Sequence, residues 1–369
     1  AIGQSAGYTS QSEYAVAIGW SVGLTCQKQY ATAIGYKAGE TSQSEYSIAI
    51  GFNAGVTCQK QYATAIGYKA GETSQSEYAI AVGYQAGLTC QKSYAVAIGL
   101  RTGENSQSEY TVAIGNESGF SCQKLGAVAI GQSAGYTSQS EYAVAISWGA
   151  GLTCQKAYAI AMGYNAGETS QSEYSIAIGF NAGETCQRAN SVAIGKNAGA
   201  TCQMDECVAI GNQAGYSSQK SYAVAVGYTA GLTSQSEYTV AIGHRAGETC
   251  QKQYATALGY NAGLTSQSEY TVAIGHQAGL TCQRITSIAI GKNAGATCQM
   301  DECIAIGNAA GNASQKTNAI AIGYTTGETS QSEYAIAIGF QAGKTCQRAD
   351  SVAIGKNAGA TCQMDECVA

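Results

Sequence analysis

The 369-residue chain carries 47 Gly, no Pro and only 12% charged residues, with a net charge of −5. This composition excludes collagen, which needs Gly at every third position, and polyproline rods. With no basic stripe to follow a phosphate backbone, a nucleic acid is not an expected partner, and the longest apolar runs, such as Ala15 to Ile18, are too short for a membrane span.

A sixteen-residue unit repeats from Tyr14 to Asp365 without insertion or deletion, giving 22 complete copies and a partial copy at each end. An enzyme needs somewhere to break its pattern and build a pocket, whereas an unbroken period points to a uniform rod. No composition shift or linker divides the chain, so a single continuous repeat domain over 1–369 is expected, about 23 coils long. Because it opens inside one repeat at Ala1 and stops inside another at Ala369, the chain reads as a window of a longer array.

Within the unit, numbered from its Tyr, positions one to five (Tyr30-Ala31-Thr32-Ala33-Ile34) are aromatic, β-branched and small, and predict a strand. Gly35 and Gly39, at positions six and ten, bracket a corner; position ten is Gly in every copy, and position six has one exception, Ser147. Positions eleven to fifteen (Glu40-Thr41-Ser42-Gln43-Ser44) predict a second, polar strand. The fold class is therefore all-β, a parallel β-solenoid or β-roll with two short strands per sixteen-residue coil. At roughly 4.8 Å per coil the array spans about 110 Å, and each position becomes a column of like residues.

Gln fills position fourteen in every copy, including Gln27, Gln43 and Gln59, and its amides are expected to bond from coil to coil. Tyr recurs at position one in fifteen copies, including Tyr14, Tyr30 and Tyr46, and predicts an aromatic stack. A Thr column at position twelve (Thr25, Thr41, Thr57, Thr73) adds hydroxyl contacts. Copies with Glu at position sixteen (Glu45, Glu77, Glu109) alternate with copies bearing Lys at position fifteen (Lys28, Lys60, Lys92) until about Glu173. Like charges are thus separated and opposite charges are expected to meet. Along the first strand the Ala residues at positions two and four of the unit point one way, the Val and Ile at positions three and five the other, and neither side is polar. A strand apolar on both sides needs two neighbours, and one thin coil supplies one, so self-association into a homo-oligomer or filament is expected.

The segments Asn190-Ser191-Val192-Ala193-Ile194-Gly195, Thr286-Ser287-Ile288-Ala289-Ile290-Gly291 and Asp350-Ser351-Val352-Ala353-Ile354-Gly355 resemble the YadA-like head repeat of trimeric autotransporter adhesins. They are also similar to repeats of viral and phage fibre proteins. The resemblance implies a left-handed parallel β-roll that trimerises, lies outside the cell or on a virion, and binds host matrix, glycans or neighbouring cells.

Cysteines depart from the adhesin pattern. Nine fall at position thirteen, Cys26, Cys58, Cys90, Cys122, Cys154, Cys186, Cys250, Cys282 and Cys346, and are read as buried or interchain thiols. Like thiols two coils apart lie beyond disulfide reach. Cys-Gln-Met-Asp-Glu-Cys occurs three times, and its pairs Cys202 and Cys207, Cys298 and Cys303, Cys362 and Cys367 are disulfide candidates across the turn. The alternative pairs each first Cys with the one a coil below: Cys186 with Cys202, Cys282 with Cys298, Cys346 with Cys362. Asp205 and Glu206 add carboxylates, but zinc sites use shorter spacings with further Cys or His, so no metal site is assigned.

His244 and His276 lie away from these clusters, and no nucleophile has an evident base, so neither catalysis nor a cofactor is expected. Gly195 to Thr201 lacks the phosphate-loop order, while Asn116-Glu117-Ser118 and Asn312-Ala313-Ser314 match glycosylation sequons. A single Thr rank beside Gln does not suit ice. The leading expectation is a structural protein, the shaft or wall of an extracellular or virion-associated fibre; the alternative is an adhesin head that uses its repeated face for avidity.

Overall fold

The computed structural model describes residues 1–369 as two compact units, Ala1–Thr185 and Cys186–Ala369. Each is a parallel β-solenoid whose coils advance sixteen residues at a time. In the first unit the longer strands begin with Val16–Trp20, Thr32–Tyr36 and Ile48–Phe52 and continue as three-residue segments to Ile176–Ile178. In the second they run from Val192–Ile194 to Val352–Ile354. Register is strict: Val16, Ala17 and Ile18 pair with Thr32, Ala33 and Ile34, and Val208, Ala209 and Ile210 with Val224, Ala225 and Val226. No helix is long and apolar enough to cross a membrane.

Both strands are shorter than the sequence suggests. The polar one shrinks to a Ser/Cys-Gln pair, as in Cys58–Gln59, Ser74–Gln75 and Cys90–Gln91, or to a single bridge such as Gln107↔Gln123. Position one leaves the first strand altogether: Tyr30 has φ 61° and sits in a turn closed by the Ala31 N–H donating to Lys28 O at 3.2 Å. A left-handed Tyr is unfavourable. Its ring stacking, described below, compensates, and Asn190, Asn318 and Asp350 occupy the same position in copies lacking Tyr, as residues more tolerant of that conformation.

Four positions per coil have positive φ: one, six, eight and ten. The backbone ladder nevertheless continues through the corner, because Gly19 N–H donates to Ile2 O (2.8 Å), Ser21 N–H to Gln4 O (2.9 Å) and Gly23 N–H to Ala38 O (3.0 Å). Position six is Gly because a Cβ on Gly19 would collide with Gly35 O of the adjacent coil. Ser147, the exception, is held at φ 109°, and the following corner position is Gly149 where most copies carry a side chain.

The coil interior is narrow and contains no large aliphatic side chain in most copies. Ala at positions two, four and nine (Ala63, Ala65 and Ala70, for example) is fully buried, and so is the Gln of position fourteen. Gln267 illustrates how that polar group is satisfied. Its Nε2 donates to Gln283 Oε1 at 3.0 Å and to Thr256 O at 3.1 Å, and its Oε1 accepts from Gln251 Nε2 at 2.8 Å. Gly263 makes room for it, since a Cβ there would collide with Gln267 Cδ.

Replacing Gln267 by Leu orphans the Gln251 amide donor and the Gln283 and Thr256 acceptors inside the coil. At about 1–3 kcal/mol for each of the three orphaned groups, a loss of about 3–9 kcal/mol is expected, measured by denaturant unfolding. Conversely, Ser147→Gly relieves roughly 1–3 kcal/mol of backbone strain and gives back about 0.5–1 kcal/mol through a freer unfolded chain. A net gain near 1 kcal/mol is expected from the difference of those two effects, and an unchanged or lowered denaturation midpoint would contradict it.

Candidate functional site

Repetition turns the surface into parallel columns, and three of them carry distinctive chemistry. Along the turn, Tyr14, Tyr30, Tyr46, Tyr62, Tyr78, Tyr94 and Tyr110 stack face to face with centroids 4.9–5.1 Å apart. Gly126 breaks the row, which resumes with Tyr142, Tyr158 and Tyr174; Tyr222 to Tyr270 form a further stack in the second unit. Parallel-displaced rings contribute about 0.5–1.5 kcal/mol per pair. Loss of hydration raises the Tyr46, Tyr78 and Tyr238 phenols above their usual value, and neighbouring Tyr and Glu side chains add to the effect.

A second row at position seven lies beside the Gly corner: Trp20, Tyr36, Phe52, Tyr68 and Tyr84 in the first unit, and Tyr228, His244, Tyr260 and His276 in the second. Both histidines are therefore elements of an aromatic stack. The Thr column does not bond hydroxyl to hydroxyl as a side-chain ladder would. Thr41 Oγ1 donates to Val56 O (2.9 Å) and to Thr57 O, bracing the backbone of the next coil.

The third column is apolar. Alternation buries Ala17 and Ala33 inside the coil and leaves positions three and five outward, with Ile210 37% and Ile242 42% exposed. Within one chain nothing covers this row of β-branched side chains, which runs along each unit.

Charges are arranged otherwise than expected. Lys28, Glu45, Lys60 and Glu77 line one shallow groove with Ser44 and Gln61, and Lys220, Glu237, Lys252 and Glu269 line its counterpart in the second unit. These lysines and glutamates do not pair. Gln61 Nε2 instead donates to Glu45 Oε2 at 3.3 Å, so a neutral amide separates the carboxylates. Ion pairs form at the other corner, between positions eight and eleven: Lys37 with Glu40 (3.5 Å), Arg101 with Glu104 (2.8 Å) and Arg245 with Glu248 (2.6 Å). Arg101 also meets Glu117 at 3.0 Å and lies 4.7 Å from the Phe120 ring centroid. Exposed pairs gain little, which removes the force that would draw Lys28 to Glu45. Glu168 stands beside Glu184, and partial burial followed by that like charge raises its carboxyl pKa.

All fifteen cysteines are free thiols, with no pair at bonding distance. At position thirteen they are half-buried in most copies and pair in register with Ser, as in Cys58↔Ser74↔Cys90. Cys207 and Cys303, by contrast, replace the Ala of position two and point into the coil. Cys207 Sγ donates to Lys220 O at 2.9 Å and Cys303 Sγ to Lys316 O at 2.8 Å. Burial pushes both thiols up to about 11. Cys282 and Cys298 are instead in-register ladder partners on adjacent coils, and burial, followed by the neighbouring Cys of the adjacent coil, raises the pKa of Cys202, Cys298 and Cys346. The structure thus sets the coil-to-coil pairs in register and sends one member of two within-turn pairs, Cys207 and Cys303, inward. Cys362 and Cys367 are exposed. No group of three or more His, Cys, Asp or Glu is gathered as a metal site, and no constellation of nucleophile and base is assembled.

Three stretches, residues 27–54, 43–70 and 156–182, match the family of the YadA head domain repeat, in two-copy form. The chain resembles that family both in these coils and in its parallel β-solenoid fold. The matches fall on aromatic-rich coils of the first unit and not on the Val192, Ile288 and Val352 segments that carry the likeness in the sequence. No curated protein and no solved structure matches the chain.

The buried thiols make a pH prediction. A thiol whose folded pKa is raised favours the neutral form, so its contribution is complete below the unfolded value near 9 and is lost as pH climbs toward about 11. Cys207→Ala with Cys303→Ala restores the residue common at position two and is expected to flatten the fall in thermal midpoint between about pH 9 and 11. Equal slopes for variant and parent would show that burial at these sites is not what resists ionisation.

Proposed function

We propose that the chain is a structural protein, forming the shaft or wall of an extracellular or virion-associated fibre by self-association of copies through the row of Val and Ile at positions three and five. The observation that carries this reading is that row: it is apolar, β-branched, repeated along each unit and uncovered within one chain. Contiguous apolar surface of this kind on a soluble chain marks an interaction site. Copies related by symmetry present the same row to one another, in the same coil spacing, and the small Gly beside it lets backbones approach. Strength along the axis comes from the backbone ladders and the buried amide column, and strength across it from the apolar row.

A second reading is favoured by the three stretches that match the YadA head repeat. Heads of that type are surface adhesins, which suggests an oligomer that binds matrix or glycans through repeated exposed columns, the stacked Tyr rows above all. Both readings place the chain outside a cell and give it no catalytic role.

The two are separated by assembly and by binding. Ile210→Lys with Ile242→Lys alters side chains already more than a third exposed, so the coil fold, followed by circular dichroism, is expected to persist. Light scattering after size-exclusion chromatography is expected to show the parent as an oligomer or filament and the variant as a monomer. A parent that is itself monomeric at micromolar concentration would remove the fibre reading. Saturable binding of the parent to immobilised matrix proteins or glycans, weakened when several exposed Tyr are replaced by Ser, would favour the adhesin.

A further inference from the structure

Three cassettes in the second unit share one arrangement of thiols, Cys186/Cys202/Cys207, Cys282/Cys298/Cys303 and Cys346/Cys362/Cys367. In each, two successive coils carry Cys at position thirteen, where the first unit alternates Cys with Ser. Cys282 and Cys298 are in-register partners of a parallel ladder. The other pairs have the same register, with Gln203 N–H donating to Cys186 O and Gln363 N–H to Cys346 O, each at 2.9 Å. Ladder neighbours stand roughly 4.8 Å apart, inside the about 4.4–6.8 Å range of bridged Cα atoms.

The third cysteine is no competitor in the two cassettes where it is buried, because Cys207 and Cys303 are fully enclosed and tied to a carbonyl of the next coil. A basic side chain sits two residues after the first thiol of each pair: Arg188, Arg284 and Arg348. Burial, followed by the stacked thiol, raises the pKa of Cys202, Cys298 and Cys346, and the nearby guanidinium charge offsets part of that rise.

We propose that these stacked pairs are redox sites at which a low-molecular-weight disulfide, of the glutathione disulfide class, is reduced while a coil-to-coil bridge forms. In the first step one cysteine thiolate attacks a sulfur of the small disulfide, forming a mixed disulfide and releasing one small thiolate. In the second the neighbouring thiolate attacks the protein sulfur of that mixed disulfide, closing the bridge and releasing the second small thiol. Two protein thiols are oxidised, one small disulfide is reduced to two thiols, and the two protons leave to solvent or to the released thiolates. Isolated cysteines such as Cys58 and Cys90 take only the first step, because the next thiol is two coils away, roughly 9.6 Å. Each closed bridge fastens adjacent coils together.

The test treats the full chain with glutathione disulfide, blocks remaining thiols with N-ethylmaleimide, and maps tryptic peptides by mass spectrometry without reductant. Cleavage after Arg188, Lys196 and Lys220 places Cys186 in one peptide and both Cys202 and Cys207 in another. The expected product links those two peptides with the loss of two hydrogens, while Cys58 and Cys90 carry glutathione. Cys207→Ala is expected to leave the link intact, and Cys202→Ser to replace it by glutathione on Cys186, with circular dichroism unchanged in both. A bridge closed inside the second peptide, glutathione on both Cys186 and Cys202, a link between two chains on a non-reducing gel, or maleimide on every thiol of the pair would each overturn the proposal.

Discussion

The interaction on which the rest depends is the column of buried glutamine amides. A sixteen-residue coil is too thin for a core of Leu or Phe, and its interior is filled mainly by Ala methyls and one Gln per turn. A neutral amide at that depth would be costly if unpaired. Here each carbonyl and both N–H groups find partners, two of them in the coils on either side. Other features follow from holding that column in register. Position ten must lack a Cβ to admit the amide, position six must lack one to let neighbouring corners touch, and no residue can be inserted without breaking both. The invariance of the period is the sequence expression of that geometry.

Much of this is legible in the sequence because each position is sampled many times. The Gln, Thr and Tyr rows, the two Gly positions and the parallel stacking all follow from residues recurring at one place in the unit. What is not legible comes from conformations that residue type disfavours. Tyr reads as a strand former, yet Tyr30 occupies a left-handed turn, because ring stacking between coils is a tertiary gain that local propensity does not register. The polar strand contracts for a related reason: Gln43 is held by its side-chain bonds to Thr32 O and Gln59 and by single bridges to Gln27 and Gln59, with little extended backbone around it.

The charge pattern separates like charges, as its alternation suggests, but it does not bring opposite ones together. The Gln of the intervening coil, not a Lys, is what meets Glu45. Ion pairs arise where the corner brings positions eight and eleven of one coil together, a contact three residues long that strand-style reasoning overlooks. For the cysteines, spacing along the chain suggests Cys202 with Cys207; in the structure five residues lead from a half-buried position to an inward one, where the Cys207 thiol donates to Lys220 O.

Along the buried column successive glutamines donate their amides toward the following coil, Gln27 to Gln43, Gln43 to Gln59, and Gln203 to Gln219 in the second unit. The amide dipoles therefore add head to tail, and the column has a sense that polarises each bond in it. A single amide cannot flip alone without facing oxygen to oxygen on one side and nitrogen to nitrogen on the other. Reorientation would have to pass through the whole row at once, so a chain of weak, neutral groups behaves as one cooperative element.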